Sequence, residues 1–411
     1  MAGMSIEIRP FADDVYAWMD AVMLPFGRPS RREDVEVFAP VVELDRSIAA
    51  YDGARVVGTT GAFSLRITVP GGGELPMAGV TMVGVHPTHR RRGILRQMMR
   101  RQLDDVRASG TEPIAGLWAS EAGIYQRFGY GVATFAAHCE VDRRRAAFRS
   151  PTEPAGELRL VDVEEARSTF PIVFDAVLPT RPGVFARTDA WWTSEFFYDP
   201  EHARRGGSPA SLLLHETDGR PTGYARYRIS PDWDEQGPKA TLEVSEAMAV
   251  SPEATLALWR YLLDVDLTTL IRGRLLPVDH PLLLSVAEPR RLAWGVGDGM
   301  WLRIVDLPRA LTARSWGADG ELVLELADAF CDWNAGRWQL TVRDGRAEVG
   351  RTDRPTDLAL DAGDLAATYL GGVTVQSLAA AGRAHEASAG AALRADRMLL
   401  AGPTPWCPLI F

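Results

Sequence analysis

Cysteine is scarce in this chain of 411 residues: Cys139, Cys331 and Cys407 are odd in number, far apart, and form no Cys-x-x-Cys or metal-ligand spacing. A disulfide framework is therefore not expected, and a reducing, cytoplasmic setting is. Long apolar runs are missing as well; no stretch approaches the about 18 uninterrupted apolar residues of a membrane span. The opening MAGMSIEIRPFADD lacks the basic-then-apolar order of a secretory signal. Excess positive charge is absent, since the formal net charge is -9, and the chain as a whole is not built to bind nucleic acid. None of the seven histidines has a metal-type partner at helical spacing, so no metal is expected. What remains is an ordinary globular composition long enough for two or three domains.

Against this background one stretch stands out, Val80 to Gly110, VTMVGVHPTHRRRGILRQMMRRQLDDVRASG. An apolar run from Val80 to Val85 reads as a strand and is broken by His86-Pro87-Thr88-His89. From Ile94 the apolar period changes: Ile94, Leu95, Met98, Met99, Leu103 and Val106 share one helical stripe, which Ser109-Gly110 ends. Between strand and helix lies Arg90-Arg91-Arg92-Gly93. A helix start carries unpaired N–H groups and positive potential, and a glycine there lets backbone approach a phosphate closely. Beyond Pro87 the strand cannot continue its ladder, so its free backbone groups suit an extended, amide-containing ligand such as a pantetheine arm. His86 and His89 read as surface or turn residues.

With strand, proline, basic glycine turn and helix in register, the stretch resembles the acetyl-CoA signature of the GNAT N-acetyltransferases. The resemblance rests on Val83-Gly84-Val85-His86-Pro87 and Arg90-Arg91-Arg92-Gly93-Ile94.

Around it, Ser5 to Pro10 alternates like a first strand, Ala12 to Leu24 has helical spacing, and Asp52-Gly53 marks a hairpin between Ser47–Tyr51 and Arg55–Thr59. Pro113 to Ala119 reads as a buried strand, Ser120 as a cap for a short helix ending at Gly129, and Gly131 to Val141 as the unit's last strand. A linker is read at Arg143–Arg145 and Ser150–Gly156. In the second block, Met248-Ala249-Val250-Ser251-Pro252 echoes Val83 to Pro87, but Glu253-Ala254-Thr255 replaces the arginines and glycine, which implies a duplicated fold with a silent coenzyme site. The third block, from about Gly299, alternates strands with helices near Leu365–Leu370, Val375–Ala381 and Glu386–Leu393. The expected class is α/β (α+β), divided as 1–150, 151–295 and 296–411.

The motif from Ser120 to Gly131, SEAGIYQRFGYG, and the closing aromatic Phe411 narrow the resemblance to the Eis (enhanced intracellular survival) acetyltransferases of actinobacteria. That resemblance spans the chain. It implies two GNAT-type domains in tandem followed by a sterol-carrier-like domain, and a homohexamer built as a trimer of dimers. It implies acetyl-CoA as co-substrate, with Val83, Gly84 and Val85 meeting it by backbone groups. Arg91, Arg92, Gly93, Ile94, Leu95 and Arg96 then fall around the pyrophosphate, with Ser120 nearby. It assigns Tyr125 as general acid and the terminal carboxylate of Phe411 as general base. Physical chemistry agrees: a tyrosine, free pKa about 10, is protonated at neutral pH, and burial makes a carboxylate a better base.

The implied acceptors are amines, aminoglycoside-like polyamines or lysine and arylalkylamine amines. A polycation site calls for carboxylates, and Pro405 to Phe411 has none besides the terminus; Glu33, Asp34 and Glu36 remain as acidic candidates, and Trp18, Phe26 and Phe38 as apolar ones. The competing reading is a non-catalytic CoA- or lipid-binding protein that uses both folds as scaffold.

Overall fold

The computed structural model describes residues 6–150 and 156–411; residue 5 of the expected first strand and residues 151–155 of the expected linker lie outside them, while Arg143–Arg145 form a short 3-10 turn. Two seven-stranded sheets and one five-stranded sheet organise the chain. The first sheet runs Glu7–Pro10, Ile48–Asp52, Arg55–Thr68, Glu74–Val85, Ile114–Trp118, Met300–Ile304 and Gly131–Val132 in spatial order. The second runs Gly295–Asp298, Phe135–Asp142, Thr268–Leu276, Ala240–Ala249, Arg220–Ser230, Ser211–Thr217 and Glu157–Val161.

The two sheets exchange strands. Gly131 to Val141, expected as one strand, is divided: only Gly131–Val132 stays in the first sheet, while Phe135–Asp142 pairs antiparallel with Thr268–Leu276 in the second. In return Met300–Ile304 pairs antiparallel with Ile114–Trp118 of the first sheet. The structural units are thus interlocked across residues 135–142 and 300–304. All five residues of Met300–Ile304 are buried, so the exchange is sealed by apolar burial as well as by ladder bonds.

The second sheet repeats the strand–proline–helix order, with Ala240–Ala249 followed by the helix Pro252–Asp264. There Ser251 accepts from the Ala254 N–H at 3.2 Å, and Glu253 occupies the first turn. A side-chain cap and an acid use up the positive end that an anion needs.

In the third sheet Gly320–Ala327 pairs antiparallel with Gly336–Arg343 and parallel with Leu358–Asp361. The helix expected over Glu386–Leu393 forms later, at Ala391–Leu399, after a strand Ala384–Glu386. Gly390, at φ +77°, breaks the backbone before it, and Glu386 turns back to accept from the Ala392 N–H at 2.7 Å. Among the described residues no helix is long and apolar enough to cross a membrane.

Candidate active site

The strand Glu74–Val85 is paired along its length with Arg55–Thr68, but with Ile114–Trp118 only where Met77–Gly79 meets Ile114–Gly116. Past Gly79 and Gly116 the two parallel strands part, which leaves the edge at Val83, Gly84 and Val85 without a strand neighbour. A bulge opposite Thr59–Gly61 sets the divergence, with Met82 at φ +54°. That conformation is costly for a side chain with a Cβ, and two contacts hold it. The Thr59 hydroxyl donates to the Met82 carbonyl at 2.8 Å, and the Trp18 indole N–H lies 3.0 Å from the Met82 sulfur. Trp18 is therefore a core residue bracing the bulge, not a pocket wall.

The turn beyond the strand is anchored by His89, which is buried, with Nε2 3.1 Å from the Asp52 carboxylate. Of its reading as a surface or turn residue the turn holds, since it ends the 3-10 turn Pro87–His89, and the surface does not; its partner lies in the hairpin. Arg91 (φ +62°) and Gly93 (φ +77°) then turn the chain into the helix Ile94–Ser109, whose start has no side-chain cap. Arg90 to Gly93 are exposed, and Arg92 donates to the Thr88 carbonyl at 3.2 Å. Ile94 is buried against Val57 and Met98, so it offers backbone rather than side chain. Arg96 lies with its guanidinium 5.3 Å from the Phe330 ring. An unpaired strand edge, an uncapped helix start and exposed arginines together fit a CoA thioester.

Tyr125 ends the four-residue helix Ala122–Tyr125 just past the strand Ile114–Trp118. Glu121, not Ser120, holds the N-cap position, without a side-chain cap bond, and Ser120 is exposed. Tyr125 is buried with Ala78, Val80, Ala115, Leu117, Met99 and Leu103. Burial, with a smaller push from the Glu121 charge, raises its phenol to about 12, so it holds its proton throughout the neutral range.

Phe411 lies on the other face. Along a strand successive side chains alternate: Ala78 and Val80 face Tyr125 and the helix Ile94–Ser109, and Gly79 between them faces Phe411. The edge of the Phe411 ring is 3.3 Å from where a Gly79 Cβ would stand. An aromatic series leads away from it: Phe411–Phe185, Phe185–Trp191, Trp191–Phe63 and Phe63–Phe38, with ring centroids 5.5, 5.6, 5.1 and 6.3 Å apart. Phe38 thus packs at the end of this buried aromatic series, whereas Phe26 is exposed. Its neighbour Pro25 sits 3.0 Å from where a Gly84 Cβ would stand.

Sequence spacing missed two features. The terminal segment is held on the second domain: the Trp406 indole donates to the Leu275 carbonyl at 2.5 Å, its backbone N–H donates to Pro182 at 2.8 Å, and Arg181 donates to the Thr404 carbonyl at 3.0 Å. Of the acidic candidates, Asp34 accepts from the Tyr198 hydroxyl at 2.8 Å and lies 3.1 Å from His202 Nε2, with Glu33 3.7 Å from the same ring. Among the described residues Glu33, Asp34 and His202 bring ligand-type atoms together, across a separation that helical spacing does not reveal.

Parted parallel strands, an uncapped basic helix start and a protonated tyrosine beside the gap define an acyl-CoA-dependent N-acetyltransferase of the GNAT type. Comparison with known proteins agrees. Family models described as an acetyltransferase (GNAT) domain match residues 7–133 and, separately, 183–304, and a sterol carrier protein domain matches 307–408. A protein of Streptomyces avermitilis named as an N-acetyltransferase is 43% identical over 409 residues, covering 98% of this chain and 99% of its own. N-acetyltransferase Eis of Mycobacterium tuberculosis is 37% identical over 363 residues, 85% of this chain and 86% of its own. The crystal structure of Eis1 from Mycobacterium abscessus superposes with a TM-score of 0.84 at 32% identity, over 99% of this chain and 100% of that one. The chain belongs to the Eis family of GNAT N-acetyltransferases.

Proposed function

We propose that the chain transfers an acetyl group from acetyl-CoA directly to the amine of a small molecule in a ternary complex, at one working site in the first domain. The observation that carries this is the placement of Tyr125 and Phe411 on opposite faces of the same parted strands. The thioester supplies an electrophilic carbonyl. Val83, Gly84 and Val85 would hold its extended arm by backbone hydrogen bonds, and Arg91, Arg92, Gly93, Ile94, Leu95 and Arg96 its pyrophosphate, with Ser120 beside them. Tyr125, kept neutral by burial, would give its proton to the departing thiolate. The carboxylate that Phe411 bears as the last residue of this sequence would take the proton of the attacking amine, directly or through a water. A covalent cysteine nucleophile finds no support: Cys139, Cys331 and Cys407 are all buried, and burial raises all three thiols, that of Cys407 beside Trp118 to about 12.

Phe38 and Phe411, the partly exposed ends of an aromatic series whose middle members Phe63, Trp191 and Phe185 are core residues, support arylalkylamines over aminoglycosides as acceptors, with lysine amines a further candidate. The hexamer, which rests on the resemblance, and the cytoplasmic setting, which rests on the scarcity of cysteine, belong to the same reading; molecular mass in solution tests the first. A lipid-carrying role finds less support. The void inside the third sheet, lined by Leu311, Trp316, Leu322, Leu365 and Leu399, has a volume of about 10 Å³, room for one water rather than an acyl chain.

The test is CoA-thiol release from acetyl-CoA across a panel of arylalkylamines, aminoglycosides, polyamines and lysine peptides. Release accompanied by a product one acetyl group heavier establishes the chemistry and names the acceptor class. Acetyl-CoA binding without release with any of these amines would overturn the assignment.

A further inference from the structure

The third domain meets the helix Ile94–Ser109 near its start through the loop that follows the strand Gly320–Ala327. After the strand Gly320–Ala327, Asp328 folds the chain back. One carboxylate oxygen accepts from the N–H groups of Cys331 and Phe330, at 2.8 and 3.3 Å, and the other accepts from Arg303 at 2.6 Å. Arg303 and Asp328 are both fully buried, and Arg303 also donates to the Gly129 carbonyl at 3.4 Å, where the Tyr125 turn ends. A buried pair so tightly hydrogen-bonded fixes the loop against both neighbours.

What the loop presents there is Phe330, itself 3% exposed. Its ring packs on Phe128 at 4.9 Å and takes two guanidinium groups, Arg100 at 4.5 Å and Arg96 at 5.3 Å. Further along the same helix Arg107 stacks on Trp333 at 4.4 Å. Arg96 is the third residue of the uncapped helix and forms no ion pair among the described residues. A guanidinium stacked on a ring keeps its N–H donors free in its own plane, whereas one paired to a carboxylate would not. An otherwise free arginine side chain would also lose rotamer entropy on meeting a phosphate.

We propose that Phe330 is a positioning residue for the coenzyme. Its ring, brought from the third domain, holds Arg96, with Arg100, beside the helix start so that the Arg96 guanidinium meets the pyrophosphate. This rests on the coenzyme assignment made above. It gives the sterol-carrier-type domain a part in acetyl-CoA binding that requires no lipid.

The test is the dissociation constant for acetyl-CoA, measured calorimetrically on the full chain, for Phe330→Leu, Phe330→Tyr, Arg96→Gln, the double variant Phe330→Leu/Arg96→Gln, and Trp333→Leu. Loss of a cation–π contact at such a site predicts a weakening of about 3- to 10-fold for Phe330→Leu and for Arg96→Gln. The double variant should bind no worse than Arg96→Gln, because both changes remove one arrangement. Phe330→Tyr keeps the ring and should bind within about twofold of the parent, as should Trp333→Leu, which takes a ring from Arg107 and, at 6.0 Å, from Arg100 but leaves the stacking of Arg96 on Phe330 in place.

If Arg96→Gln weakens binding but Phe330→Leu does not, or if the two effects multiply, the proposal fails while the coenzyme assignment stands. If neither Arg96→Gln nor Arg92→Gln weakens binding, the assignment itself fails, and this proposal with it. Should Phe330→Leu not fold, Phe330→Met carries the same comparison.

Discussion

Phe411 rests on Gly79. The ring edge stands 3.3 Å from the position a Cβ on that glycine would occupy, and the same Cβ would come within 2.6 Å of the Leu65 side chain. Gly79 is also the last residue of its strand still paired with Ile114–Trp118. The missing side chain therefore makes room for the terminal aromatic ring at the point where the strands part.

Gly79→Ala is expected to displace Leu65, and Phe411 with it. A shift of about 1 Å at a reacting group costs up to about a hundredfold in rate, so kcat should fall about 10- to 100-fold, with acetyl-CoA affinity within about twofold. Steady-state kinetics with calorimetric binding checks this; an unchanged kcat in a normally folded variant would separate Phe411 from the chemistry.

Tyr125→Phe should remove the proposed proton donor and little else, since the ring remains among its apolar neighbours. General acid catalysis contributes about 10²- to 10⁴-fold, so kcat should drop by at least about 100-fold while the KM for acetyl-CoA changes less than about twofold. The pH dependence follows from the direction of the shift. Burial first, then Glu121, raises the phenol to about 12, so the donor is still protonated at pH 9, and kcat should show no loss from Tyr125 ionisation up to that point. A basic limb near pH 8 that vanishes in Tyr125→Phe would contradict this environment.

Much of the candidate site's backbone was legible because it is local. A strand, a proline, a glycine turn and a helix stripe are consecutive, and their periodicities depend only on near neighbours; the hairpin at Asp52-Gly53 is legible for the same reason. What the sequence hid is non-local. Alternation along Phe135–Asp142 shows which residues face a core but not which sheet they join, so its exchange with Met300–Ile304 had no signature. Met82 at φ +54° carries no glycine or asparagine to announce the bulge, and His89 looks like turn material until Asp52, 37 residues earlier in the chain, is beside it. The support of Phe411 by Gly79 joins residues far apart in the sequence.

His280 makes the second domain sensitive to acid. It is buried against Trp259, and its Nδ1 accepts from the Leu282 N–H at 3.1 Å. Burial, reinforced by the Arg181 charge, lowers its pKa from 6.5 to about 4. The unfolded chain takes up this proton near 6.5 and the folded chain only near 4, so the stability present above pH 6.5 declines as pH falls towards 4. His280→Gln should lower Tm at pH 7.5 but flatten its decline between pH 6.5 and 4.5. Parallel Tm profiles for the two proteins would exclude His280 as the source of that slope.

Trp406 is the residue on which the position of Phe411 depends from the far side. Its indole donates to the Leu275 carbonyl, at the end of a strand of the second sheet, and Leu275 itself has φ +52°. Trp406→Phe keeps an aromatic ring in the apolar cluster it shares with Phe174 and Val184 but removes the donor, leaving a carbonyl without its partner at a cost of about 1–3 kcal/mol. Relaxation of the segment from Trp406 to Phe411 should then move the carboxylate relative to the parted strands. Expected is a fall in kcat of about 3- to 30-fold, with acetyl-CoA affinity unchanged because no coenzyme-binding residue is touched. Combined with Gly79→Ala, the loss should be less than the product of the two single losses, since both changes act on the placement of one ring. Losses that multiply would mean that Trp406 supports the second domain alone, and that the terminal segment is held at Gly79 without it.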